Sequence, residues 1–410
     1  MIYFTVFHID DNIDLVKTII FVAKQNRYIN MEHTTKKRLV WVDLLRLVAI
    51  FMVIAIHCAD PFNVSPEARS NPDYNFWGSF YGSMLRACVP LFVMITGLLL
   101  LPVKTDTSKF YSKRLLRVVV PFLVWSVIYN LYPWITGLLG LPQSSISNVF
   151  AYAPADASQS FAEAVKNIAM IPINFNTYTV PMWYLYMLIG LYLYMPFFSS
   201  WVEKSTRKEQ RIFIMLWVIS LFIPFARYYI GSDLHGVCAW NAFDTLYYFA
   251  GFNGYLLLGY YLSKSKVEYS MLKTFVPCLL LFAVGYLTTY FAFRSITSNP
   301  ACSEQDMEMF FLYCSPNVAL MTVAVFIFIR SIKITNKKVT ALLANLTKCG
   351  LGIYLLHYFM VGVGYSFANA LSIPVSIRIP ITAVIVLLMT WGIVALTYRL
   401  FPKLSKWIFG

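Results

Sequence analysis

The hydrophobic positions of this chain fall into long, nearly unbroken runs. Ten stand out, at 39–58, 77–101, 115–135, 181–201, 212–230, 241–262, 274–293, 309–330, 350–370 and 379–401. Each is close to the ~20 residues that carry a helix across a hydrocarbon core of about 30 Å. Lipid offers no hydrogen bonds to a bare backbone, so only helices or closed barrels cross it. Barrel strands alternate in polarity, and these runs do not. The pattern predicts an all-α polytopic membrane protein with about ten transmembrane helices.

Polar side chains interrupt the first run in an ordered way. It reads DLLRLVAIFMVIAIH over residues 43–57. Eleven residues advance a helix by about three turns and raise it about 16 Å. Arg46 and His57 therefore share one face, near opposite ends of the span. Asp43, three residues before Arg46, lies on the same face and within pairing reach. Ionisable groups inside a span are costly and normally face the bundle interior or a watered cavity. The face reads either as a polar track through the membrane or as a structural Asp–Arg pair with an interfacial histidine.

The charge distribution orients the helices. Of 33 Lys and Arg, 23 sit in or beside the segments on one side and 5 on the other, Arg69, Lys166, Arg227, Arg294 and Arg378. The other five are Arg46 and Arg86, within spans, and Lys17, Lys24 and Arg27, near the N-terminus. The positive-inside rule then predicts that both termini face the cytosol. The net charge of +14 is accounted for by this clustering. No basic–aromatic interleaving points to nucleic acid. Only 13% of residues are charged, against about 25% in soluble proteins.

Three regions are expected: an N-terminal extension over 1–38, a transmembrane domain over 39–402 and a cytosolic tail over 403–410. Residues 1–30 have neither the basic start nor the cleavage site of a signal peptide. They read as an extension ahead of Met31, the expected initiator, or as an amphipathic interfacial segment. The 136–180 segment is the longest connection between spans. It is expected on the outer face, either as a plain connector or as a wall of an acceptor site. The seven cysteines show no metal-ligand spacing, so no metal is expected. Cys238 and Cys302 fall toward the outer face and either pair or remain free.

A second basic cluster, KFYSKRLLRVVVPFLVW, stands at the start of the third run. Arg114 and Arg117 are three apart and share a helical face. Their guanidiniums suit phosphate better than lysines would, although the same pair serves equally as a positive-inside anchor. Arg86 is a further intramembrane cation, expected either to act at the site or to pack against Asp43 or Asp244. His357 lies midway along the ninth run, as a packed core histidine, a supporting residue or a rival base. His235, His8 and His33 read as solvated. Trp183 and Tyr184 read as a sugar-stacking platform or as an interfacial aromatic belt.

These motifs together resemble the acyltransferase 3 family of integral membrane acyltransferases. Arg46 and His57 match its Arg-x10-His, and Arg114 and Arg117 its Arg-x-x-Arg. RACVPLFVMITGLLLL (86–101), MWYLYMLIGLYLYMPFF (182–198) and LGIYLLHYFM (351–360) follow in family order. The resemblance covers about 39–400, with Thr96-Gly97 where Ser-Gly is usual. Within the family it is strongest to the small membrane O-acetyltransferases of enterobacterial common antigen.

The resemblance implies a plasma-membrane enzyme that moves an acyl group, expected to be acetyl, from cytosolic acyl-CoA to a hydroxyl of an extracytoplasmic glycan. Acyl-CoA is then a substrate, and no bound cofactor is expected. Residue chemistry agrees. A thioester is already activated, so the site needs mainly a base for the hydroxyl and a partner for developing charge. His57 is the expected base. Arg46 is expected beside it among the catalytic residues, holding the donor or balancing charge along the track. Arg114 and Arg117 are the expected donor clamp. Asp43, Arg86 and His357 support the site, with Trp183 and Tyr184 on the acceptor side. Two alternatives remain: a transporter or flippase, and an enzyme of the unrelated membrane-bound O-acyltransferase class using His357.

Overall fold

A computed structural model describes residues 38–64, 66–140, 159–231, 246–265, 270–299 and 302–410. The expectations for residues 1–30, His8, His33, His235, Cys238 and Asp244 lie outside them, as does the Cys238–Cys302 pair. Among the described residues every regular element is a helix. The principal ones are α1 (Val40–Ala59), α2 (Pro72–Met84), α3 (Cys88–Leu100), α4 (Leu116–Leu138), α5 (Trp183–Lys204) and α6 (Arg207–Ser220). They continue as α7 (Ile223–Ile230), α8 (Asn253–Ser263), α9 (Met271–Thr297), α10 (Pro316–Ser331), α11 (Lys337–Asn369) and α12 (Val375–Leu400).

Nine helical segments among the described residues are long and apolar enough to cross a membrane. They correspond to nine of the ten expected runs, so the chain is a multi-pass membrane protein. The remaining run, 241–262, begins outside the described residues. Its described part holds a short 3-10 turn, Tyr247–Phe249, and the 11-residue α8, in which Gly254–Gly259 are buried.

Burial separates central from peripheral helices. In the segment containing α1, 67% of the most apolar window is buried, against 17% for α9. The helix with the polar track is thus wrapped by others, while α9 presents Leu272, Leu280 and Phe291 outward. Lipid does not penalise an exposed leucine, so the outward face needs no polar residues.

Small residues let the helices approach. A Cβ at Gly97 would stand 1.9 Å from the Leu256 carbonyl oxygen, and one at Gly259 2.1 Å from that of Met94. These two glycines bring α3 and α8 into backbone contact, the use membrane helices make of glycine. The neighbouring Thr96 lines a cavity.

α11 has 33 residues, about 50 Å of helix, longer than the hydrocarbon core requires. Tyr129 on α4 donates to the Leu355 carbonyl at 3.0 Å, and Tyr365 on α11 donates to the Cys58 carbonyl. These bonds fasten α11 to α4 and to α1. In the connection after α4, Gln159 donates to the Asn130 carbonyl at 2.6 Å and Asn176 to the Asn130 side chain at 2.7 Å. The described part of that connection is therefore tied to the bundle by an amide network.

At the other end of the chain, the short helix Pro402–Ile408 folds back on the bundle. Trp125 donates to the Ile408 carbonyl at 2.9 Å, and Phe409 is buried.

Candidate active site

α1 carries its polar residues along one face, as its spacing requires. Asp43 is buried; its carboxylate lies 3.9 Å from the Arg46 guanidinium and accepts from the Thr347 hydroxyl at 2.9 Å. The acid therefore ties α1 to α11 as well as holding Arg46.

Two helical turns beyond Ile50, His57 meets a partner of its own. Its Nδ1 lies 3.1 Å from the Oδ2 of Asp60, three residues on, in the short helix that ends the segment. The two side chains are 16% and 13% exposed, shielded yet reachable. A carboxylate accepts, so Nδ1 carries the proton and Nε2 keeps a lone pair. That is the tautomer a general base needs. The signal was present in the sequence, because His-Cys-Ala-Asp has the same three-residue offset as Asp43 and Arg46. It was not read.

His357 is fully buried on α11, with its ring centroid 5.3 Å from that of His57. Its Nδ1 donates to the Tyr354 carbonyl, so its Nε2 is a lone pair. That nitrogen has no hydrogen-bond partner among the described residues. A buried unpartnered acceptor is costly in a purely structural position. Tyr358 packs edge-on against the His57 ring at 5.2 Å.

The other end of the same two helices lines a cavity of about 460 Å³. α1 contributes Arg46 and Ile50, and α11 contributes Thr347, Lys348, Gly350 and Tyr354. Continuing these faces leads to His57 on α1 and to His357 on α11. Arg114 and Arg117 complete the charged wall, Arg114 from a π-helical turn over Tyr111–Leu115 and Arg117 from α4. Such π segments often occur at functional sites. Arg117 also donates to the Gly410 main-chain oxygen at 3.2 Å. Thr96, Tyr184 and Tyr192 add polar groups, and no Asp or Glu lies among the described lining.

The remaining expected residues are placed as follows. Tyr184 is buried and lines this cavity, with its ring 5.2 Å from that of Tyr354. Trp183 turns away and stacks on Tyr313 at 5.4 Å. Arg86 stands in the turn between α2 and α3, over the Phe311 ring at 3.7 Å, and donates to the Gly82 carbonyl at 3.0 Å. The structure thus brings together Arg46, Arg114, Arg117 and Tyr184 in one group and His57 and His357 in another. Lys348, Tyr192 and Asp60 were not anticipated.

A sheltered histidine–carboxylate pair at the end of α1 and a cationic cavity between α1 and α11 have the chemistry that group transfer requires. The acyltransferase domain family model matches residues 39–398, nearly the whole chain, and the protein belongs to that family. It is therefore a membrane acyltransferase. No curated protein and no solved structure matches the chain.

Proposed function

We propose that the protein is a membrane O-acyltransferase, with acetyl as its group, acyl-CoA as its donor and a cell-envelope glycan as its acceptor. The observation that carries this reading is the continuity of α1 and α11, which line the cationic cavity at one end and bear the paired histidines further along. In the orientation given by the charge distribution, the cavity opens to the cytosol and His57 lies toward the outer face of the plasma membrane. Both chain termini are then cytosolic.

Arg114 and Arg117 offer planar forks to the donor's phosphates, and Arg46 balances charge deeper in. Arg46 and His57 lie about 16 Å apart along α1, so they do not act on the same atoms. Arg46 belongs to donor binding. The pantetheine arm runs from the arginines toward the histidines. His57 Nε2 removes the proton of the acceptor hydroxyl as its oxygen attacks the thioester carbonyl. The C–S bond breaks, an ester forms, and the proton reaches the CoA sulfur. Asp60 stabilises the imidazolium that exists between those proton transfers.

The acceptor is a hydroxyl of an extracytoplasmic saccharide, and the sequence resemblance points to enterobacterial common antigen. Mass spectrometry of envelope glycans from a deletion strain tests this. The expected result is loss of an acetyl-sized substituent that returns on complementation with the wild-type chain. Unchanged glycans, together with no release of CoA from acetyl-CoA by the purified protein, would overturn the proposal.

A further inference from the structure

Lys348 is a fourth cation on the cavity wall, and it belongs to none of the motifs that carry the family resemblance. It projects from α11, while the other three cations come from α1, from the π-helical turn before α4 and from the first turn of α4. The cavity therefore presents cations on several sides, with no Asp or Glu among its described lining. Asp43, the acid beside it, is engaged by Arg46 and Thr347.

An ordinary membrane-anchoring lysine needs only a route to the headgroups. Lys348 is exposed, and its Nζ stands 4.8 Å from the Tyr398 ring centroid, a contact that holds the ammonium beside the cavity. Tyr398 in turn donates to the Gly410 main-chain oxygen at 3.1 Å, the atom that also accepts from Arg117. Lys348 and Arg117 are thus anchored to one common wall from two helices.

Resting on the acyl-CoA reading above, we propose that Lys348 is a donor-binding residue that holds the 3′-phosphate of CoA. CoA presents a pyrophosphate and a phosphomonoester, and a monoester carries about −1.5 to −2 at neutral pH. Two arginines three residues apart match the paired oxygens of the pyrophosphate, where bidentate geometry counts. The monoester is a compact, highly charged group, suited to a point charge on a flexible stem. Lys348 supplies that point charge.

The test compares acetyl-CoA with acetyl-3′-dephospho-CoA, using the full chain purified in detergent. Donor binding and donor KM are measured for wild type, Lys348→Ala and Lys348→Arg. Wild type is expected to prefer acetyl-CoA by about 10- to 100-fold, the range for losing a charge-assisted hydrogen bond. In Lys348→Ala that preference disappears because only acetyl-CoA binding weakens, and Lys348→Arg restores part of it. Wild-type indifference to the 3′-phosphate, or a preference that persists in Lys348→Ala, would overturn the assignment. If wild type binds neither donor, the acyl-CoA reading itself fails, an outcome separate from a donor-binding enzyme indifferent to Lys348.

Discussion

His57 and His357 face each other from α1 and α11, with ring centroids 5.3 Å apart and planes inclined by 37°. Only His57 has a carboxylate at its other nitrogen; His357 bonds a main-chain carbonyl. This asymmetry decides which ring is the base. An imidazolium forming on His57 is balanced by Asp60, whereas one forming on His357 would be buried beside a neutral oxygen. His357 then serves as an acceptor for a hydroxyl. Asp60→Asn is expected to lower kcat by more than His357→Gln, with donor KM unchanged in both. The check is steady-state transfer by purified variants. A dead His357→Gln beside an active Asp60→Asn would move the base to α11.

Donor binding should separate cleanly from chemistry. Arg114→Ala or Arg117→Ala is expected to raise the donor KM by about 10- to 100-fold, the cost of a charge-assisted bond. Arg→Lys should recover only part, since an ammonium keeps the charge and loses the fork. Initial rates over a range of acetyl-CoA concentrations measure this. A pure kcat defect would place these arginines nearer the reacting atoms.

The α3–α8 contact predicts a stability effect at a residue outside the chemistry. Gly97→Ala adds a methyl that meets the Leu256 carbonyl at 1.9 Å. Alanine's helix propensity gains up to about 1 kcal/mol. Overpacking costs about 1–3 kcal/mol and here strikes backbone rather than a flexible side chain. The clash should win. A lower unfolding temperature in detergent is the expected result, and Thr96→Ala should be much milder.

Much of this is legible in the sequence. Long apolar runs located nine of the membrane helices, because lipid leaves the backbone so few options, although helices such as α11 extend well past the apolar run. The face shared by Asp43, Arg46 and His57 followed from helical geometry alone. Pairing across the bundle was not legible. Nothing in the spacing of α1 and α11 tells that their histidines meet, or that Lys348 joins the three arginines. Tyr184 was expected on the acceptor side; its ring lines the cationic cavity, because α5 packs against the segment leading into α4. Asp60 is legible from its three-residue offset to His57, but it stands just past the end of the 39–58 run.

The orientation can be tested independently of the enzymology. Reporter fusions at Lys208 and Lys337 are expected to register the cytosol, and fusions at Ser158 and Ser298 the outer side. The charge asymmetry across the loops is the basis. Swapped signals at two of these sites would invert the membrane placement of the donor cavity.

The central claim is that His57 performs the proton transfer while the cationic cavity binds the donor. Single-turnover transfer from acetyl-CoA to glycan extracted from a deletion strain, by wild type and His57→Ala, tests it most directly. The account predicts a rate lower by about 10²–10⁴-fold in the variant, the usual range for a lost general base. Its affinity for acetyl-CoA should stay near that of wild type. A His57→Ala protein that folds, binds acetyl-CoA and transfers at the wild-type rate would contradict the account.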